Sequence, residues 1–109
     1  MTVRELAELN EFKALSLPLP ERAIAGAYIG DLLSWVMGRA RENNAWITIM
    51  SNVNVLAVAS LADVSCIILC EGTVLDEDVL TTASEKGINV LSTELSSYET
   101  AVRLSDLGI

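Results

Sequence analysis

The chain has no histidine, two cysteines, 5% aromatic residues and seven lysines and arginines against 15 aspartates and glutamates. Without histidine it lacks the usual general base, the commonest metal ligand and the Ser-His and Cys-His nucleophile pairs. Catalysis and metal binding are therefore not expected. The formal charge of −8 leaves Arg4, Lys13, Arg22, Arg39, Arg41, Lys86 and Arg103 scattered along the chain. No basic stripe forms, so a phosphate backbone or an anionic lipid surface would find no electrostatic footprint. Nucleic acid and membrane are excluded as primary partners. The apolar run from Val53 to Cys70 has the hydropathy of a membrane span, but Asp63 interrupts it and Asn54 lies near its start. Two packed elements explain it better. The amino terminus, Thr2-Val3-Arg4-Glu5, has no cationic region followed by an apolar one, so no secretory signal is read and a cytoplasmic location is expected.

What is present is apolar: 51% of the 109 residues are hydrophobic and 20% charged. One domain spanning residues 1–109 is expected, with apolar surface left over for self-association as a homodimer. The richest stretch runs from Trp46 to Gly72. There the runs Trp46 to Met50 and Val64 to Cys70 are nearly continuous in apolar and β-branched residues, as strands covered on both faces of a parallel sheet require. Between them Asn52 to about Leu61 has helical character and is almost entirely apolar, so it is expected to be buried on most sides or to form an oligomer contact. The segment reads as a βαβ unit. Cys66 and Cys70 lie on one face of its second strand, roughly 13 Å apart, too far for a disulfide.

Around this unit, Thr2 and Glu5 form a capping box for a short helix ending near Asn10, and Phe12 to Leu17 reads as a strand stopped by Pro18 and Pro20. Ala23 to Ile29 is a plausible strand, and Asp31 is expected to cap a helix running to about Asn43. Asp76-Glu77-Asp78 opens a helix that Lys86-Gly87 closes, Ile88 to Leu91 is a short strand, and Ser96 or Ser97 caps a final helix through Leu104. The expectation is an α/β fold, a mainly parallel sheet of about four to five strands with helices packed on its faces.

Ligands of open α/β sheets gather beyond the carboxyl ends of the strands. That edge should carry Asp31, Ser51, Asn52, Asn54, Glu71 and Thr93, with Gly26, Tyr28 and Gly30 lining the strand that leads to it. The asparagine amides stand beside the unpaired N–H groups of a helix start, a setting that can grip a small ligand, although capping accounts for at least one of them. Glu71 and Glu94 also admit a carboxylate mechanism, set against solvated loop charges. The glycines at 26 and 30 do not form a phosphate loop, because no lysine-serine pair follows. Trp35 and Trp46 are the large anchors, with core packing the expected role of both.

The motifs Gly26-Ala27-Tyr28, Gly30-Asp31-Leu32-Leu33-Ser34, Trp46-Ile47-Thr48-Ile49, Asn52-Val53-Asn54 and Ala57-Val58-Ala59-Ser60-Leu61 resemble a DRTGG domain over nearly the whole chain. That family is similar to the amino-terminal domain of HPr kinase/phosphorylase and occurs alone or beside CBS domains and phosphate acetyltransferases. The resemblance implies an α/β fold and a regulatory or ligand-sensing role, with no catalysis of its own and no cofactor. At Glu21 to Gly26, where the naming motif should fall, the chain reads Glu-Arg-Ala-Ile-Ala-Gly, and only Arg22 and Gly26 match it. Two functions follow as expectations. One is a non-catalytic module that self-associates and binds a small metabolite or nucleotide at the carboxyl edge; the other is a ligand-free interaction subunit of a larger metabolic or signalling enzyme.

Overall fold

The computed structural model describes residues 1–109. Helix α1 (Val3–Ala7) opens with the capping box: Glu5 N donates to Thr2 Oγ1 at 3.2 Å and Thr2 N donates to Glu5 Oε1 at 2.9 Å. The Thr2 backbone N–H and then its hydroxyl, both donating to the Glu5 carboxylate, hold that carboxyl below its ordinary value. Strand β1 (Lys13–Ser16) follows, then the two-proline turn, and then β2 (Ala27–Ile29). Only the end of the Ala23 to Ile29 run pairs as a strand; Ala23 instead makes an isolated bridge to Thr2. Gly26 at φ 76 turns the chain between the two, a left-handed conformation that costs glycine little.

Helix α2 (Leu33–Arg39) is shorter than expected. Its N-cap is Leu32, with no side-chain capping bond, and Ala40 already has extended backbone, so the arginine and asparagine residues after it form a turn. Strand β3 (Ala45–Thr48), helix α3 (Asn54–Ala62) and strand β4 (Cys66–Leu69) form the βαβ unit. Every residue of both strands is buried, which is why their sequences do not alternate. Helix α4 (Glu77–Glu85), strand β5 (Val90–Ser92) and helix α5 (Ser97–Asp106) complete the chain. Ser96 caps α5 through a second capping box with Glu99, whose carboxyl lies below its ordinary value because the Ser96 backbone N–H donates to it.

The five strands lie in the order β1-β5-β4-β3-β2, with β2 to β5 parallel and β1 antiparallel to β5. Consecutive parallel strands are neighbours. All three right-handed crossovers therefore lie on the same side, and α2, α3 and α4 pack on one face around Val36, Trp46, Leu56, Ile67, Leu69 and Ala83. The opposite face is covered by α1 and α5 over Val3, Leu6, Ile47, Ile68, Leu91 and Leu104. Cys66 and Cys70 point into this second core as free thiols, and burial pushes the Cys66 thiol up to about 12. Such a thiol is inert at neutral pH.

Trp46 is fully buried, as expected of a core anchor, whereas Trp35 is 52% exposed and the Arg39 guanidinium stacks on its ring at 3.7 Å. The period of α2 explains the difference: Leu33, Val36 and Ala40 occupy its inward face and Trp35 falls outside it. Helix α3 likewise buries only part of its circumference. Val55, Leu56, Val58 and Ala59 are inside, and Val53, Ala57 and Leu61 face solvent despite their apolar character. No helix is long and apolar enough to cross a membrane.

Candidate functional site

The carboxyl ends of β2, β3, β4 and β5 form one edge of the sheet, and the segments leaving them carry seven of the nine candidate residues, with Tyr28 inside β2 itself. Gly26 is the exception. It precedes β2, its carbonyl accepts from Ala45 N at 3.0 Å, and a Cβ there would meet the Asn44 side chain at 3.2 Å, so it belongs to the amino end. Tyr28 lies within β2 and its half-buried ring packs toward Gly30, where a Cβ would stand 2.8 Å from Tyr Cε2. Gly30 is thus a glycine because the tyrosine ring occupies the space beside it.

Asp31 does not cap α2. Its carboxylate crosses to the next strand, accepting from Thr48 Oγ1 at 2.7 Å and from Ile49 N at 3.0 Å. The reason is local geometry: with Leu32 as N-cap, Asp31 is one residue too early to reach the first helical N–H groups. It ties the β2 exit to the β3 exit instead. Thr48 is the partner that sequence reasoning missed, and no pattern in the chain singles it out from other strand-end threonines. Ser51, Asn52 and Asn54 lie exposed in the β3 exit loop and the first turn of α3. Asn52 Oδ1 accepts from Asn54 N at 2.9 Å, an Asx turn in which one asparagine orders the loop and the other leaves its amide free of any intrachain hydrogen bond.

In a sheet of this kind the natural ligand crevice opens where adjacent strands send their connections to opposite faces. Here that place lies between β4, which leads to α4, and β5, which leads to α5 on the other side. The crevice is closed by the chain itself. Glu71 N donates to Leu95 O and Gly72 N donates to Thr93 O, both at 2.9 Å, and the Glu94 carboxylate lies over Gly72. Thr93 is buried, and its hydroxyl accepts from Leu95 N at 3.2 Å. Glu71 at φ 59 and Gly72 at φ 71 are consecutive left-handed residues, which is how the β4 exit bends far enough to reach the β5 exit. A Cβ at position 72 would lie 2.7 Å from Glu94 Oε2. Gly72→Ala should therefore lower stability by about 1–2 kcal/mol, mostly from the left-handed backbone. Adding Glu94→Ala should recover only the smaller part owed to the contact, as a double-mutant cycle in urea would read.

Four shallow cavities mark the surface, and of the candidate residues only Thr93 lines one, a space of about 210 Å³ shared with Lys13, Ser92 and Glu94. The edge formed by Asp31, Ser51, Asn52 and Asn54 has hydrogen-bonding groups but no depth of its own. Glu71 and Glu94 are both exposed to solvent. No group of three acidic or cysteine side chains is placed to hold a metal ion. Arg22, one of the two residues matching the expected naming motif, works at the far end of the sheet: it donates to Asn43 Oδ1 and to the carbonyl and carboxylate of Asp63. That pairing clamps the left-handed Asn43 and Asp63 turns that lead into β3 and β4.

Among curated proteins no significant match is found. Among solved structures the chain is similar to the CBS and DRTGG domains of the regulatory region of Clostridium perfringens pyrophosphatase, crystallised with its activator diadenosine tetraphosphate. The TM-score is 0.63 at 19% identity, over 85% of this chain and 40% of that one, so the likeness is one of fold and this chain spans less than half of that structure. The DRTGG domain family model matches residues 26–107, a segment that begins after Glu21 to Ala25 and contains β2 through α5. Since that match covers most of its length, the chain belongs to the DRTGG domain family.

Proposed function

We propose that the protein is a non-catalytic regulatory module that self-associates and senses a small metabolite or nucleotide at the carboxyl edge of its sheet, between the β2 and β3 exits. The observation that carries this reading is the exposed rim of Ser51, Asn52 and Asn54, in which the Asn54 side chain has no intrachain hydrogen bond and Asn52 Oδ1 orders the loop, with Asp31 already fixed by Thr48 and Ile49. Family membership supports a regulatory role, and the fold neighbour supplies a precedent for a nucleotide activator in such a region. Asp31, Glu71 and Glu94 make this edge acidic, so the chain's own groups favour the base or sugar of a nucleotide over its phosphates. Because the rim has no depth, a second surface must enclose the ligand, and self-association or a neighbouring domain would provide it.

A thermal-shift panel of nucleosides, mononucleotides, dinucleoside polyphosphates and acyl phosphates tests this. A ligand at 100 times its Kd stabilises the folded state by about 2.7 kcal/mol. For a domain of this size that is a rise in Tm of roughly 10 °C or more. Asn52→Ala and Asn54→Ala should each reduce the shift produced by a ligand that raises Tm in the parent chain. A flat response across the panel would favour the second reading, a ligand-free interaction subunit, which the exposed Trp35 and Leu61 support.

A further inference from the structure

Strand β2 is the outer strand of the sheet, and its Ala27 and Ile29 are exposed. The carbonyl of Gly26 accepts from Ala45 N and the amide of Gly30 donates to Ile47 O, so the even-numbered residues of this segment face β3. By the alternation of a parallel ladder, the N–H and C=O groups of Ala27 and Ile29 point outward. No charge, proline or bulge within the strand guards them, which is how natural edge strands are usually kept from pairing. The side chains beside this edge are apolar and exposed: Ile29 on one face of the sheet, and Leu32 at the N-cap and Trp35 within the helix that crosses the other.

We infer that β2 is the dimerisation edge of this protein, pairing antiparallel with β2 of a second copy about a two-fold axis at Tyr28 to make one continuous ten-stranded sheet. This rests on the self-association in the proposed function and names its surface. The register is self-complementary. With Tyr28 opposite its own copy, Ala27 faces Ile29 of the second copy and Ile29 faces Ala27, so all four outward groups of each strand find partners as two hydrogen-bonded pairs. Tyr28 meets Tyr28 as the intervening non-hydrogen-bonded pair.

Charge argues for a second copy over an unrelated acidic or basic partner. On a chain of net charge −8, the segment from Glu21 to Glu42 is neutral, with Arg22, Arg39 and Arg41 against Glu21, Asp31 and Glu42, and the Asp31 carboxylate is engaged within the chain. Antiparallel pairing sets the carboxyl end of one β2, with Asp31, against the amino end of the other, where the turn before β3 carries Arg41. The acidic rim of each copy thereby gains a basic neighbour, and the shallow rim around Asp31 gains a second wall.

Solution mass by light scattering, with two variants, decides the matter. The parent chain should be dimeric at micromolar concentration. Ile29→Lys places a lysine on each side of the axis and should weaken the dimer at least tenfold while leaving the circular dichroism spectrum intact. Tyr28→Cys brings two sulfurs to the axis, where Cα atoms of a non-hydrogen-bonded pair stand about 4.5 Å apart, within disulfide range. Mild oxidation should cross-link it into a covalent dimer, with Leu61→Cys as the exposed control that does not cross-link, and the buried Cys66 and Cys70 silent in both. A parent dimer unaffected by Ile29→Lys and a Tyr28→Cys chain that does not cross-link would overturn this edge and leave self-association through another surface. A parent chain that stays monomeric to hundreds of micromolar would overturn both.

Discussion

Replacing Trp46 with alanine is expected to lower the unfolding free energy by about 3–5 kcal/mol, the range for an aromatic truncated in a core. The side chain is fully buried in the cluster beneath α2, α3 and α4, and its neighbours across the sheet are Tyr28 and Ile67. Against a total stability of about 5–15 kcal/mol for a domain of this size, that loss is a large fraction. In urea, where slopes for small proteins run about 1–3 kcal/mol/M, the midpoint should fall by more than about 1 M. Trp46 also donates its indole N–H to the Gly30 carbonyl at 2.9 Å. Trp46→Phe keeps a ring and removes that donor, so it isolates the hydrogen bond, worth about 1–3 kcal/mol if the carbonyl is left without a partner. The phenylalanine variant should show its local effect in the β2 exit, as faster amide exchange at Leu32 to Ser34. An alanine variant with an unchanged midpoint would mean that this core is not the one holding the sheet together.

The βαβ unit was legible because both of its strands are buried on both faces, and a double-sided burial writes itself as an uninterrupted apolar run. The helix cap at Thr2 was legible for a different reason: a capping box is a local arrangement, complete within four residues, whereas for the last helix the sequence left Ser96 and Ser97 both open and the structure selects Ser96. Asp31 misled because an aspartate before an apolar helix pattern is a good cap by sequence, and only the three-dimensional approach of Thr48 and Ile49 claims its carboxylate. Trp35 misled for a related reason. Residue type favoured the core, but with α2 ending at Arg39 the helix presents too few turns to bury a residue off its inward stripe. The closure of the crevice between β4 and β5 depends on hydrogen bonds between loops some 20 residues apart and on two consecutive left-handed residues, one of them the non-glycine Glu71. Nothing periodic encodes such a closure. The placement of Gly26 at the amino end follows from where β2 starts, four residues later than the apolar run suggests.

Asn89 is the polar counterpart of Trp46, and its truncation is expected to be the second most damaging change. It is buried at the entrance to β5, where its side chain makes three hydrogen bonds: Oδ1 accepts from Leu19 N at 2.9 Å, and Nδ2 donates to Leu19 O at 2.8 Å and Ser65 O at 3.0 Å. The amide mimics a short strand, pairing both backbone groups of Leu19 while reaching the residue before β4. It thereby fastens the two-proline turn, which cannot supply amides at 18 or 20, to the amino end of the sheet. Asn89→Ala leaves Leu19 N–H and the buried Ser65 C=O without their partner, while Leu19 C=O keeps only its longer bond from Arg22 N at 3.3 Å. Each orphaned buried group costs about 1–3 kcal/mol, but Leu19 is exposed enough for water to reach its backbone, so the expected loss is about 2–4 kcal/mol. Asn89→Asp should cost more, since it keeps the acceptor, removes both donors and places an unpaired charge against the carbonyls of Leu19 and Ser65. Equilibrium unfolding in urea would rank the two variants. Amide exchange at Leu19, protected only through this side chain, should accelerate in both, while exchange at Ile67 and Ile68 in the centre of the sheet should follow the global stability alone. If Asn89→Ala were as stable as the parent chain, water would be filling the asparagine's place, and the turn would owe its position to the prolines and not to the amide.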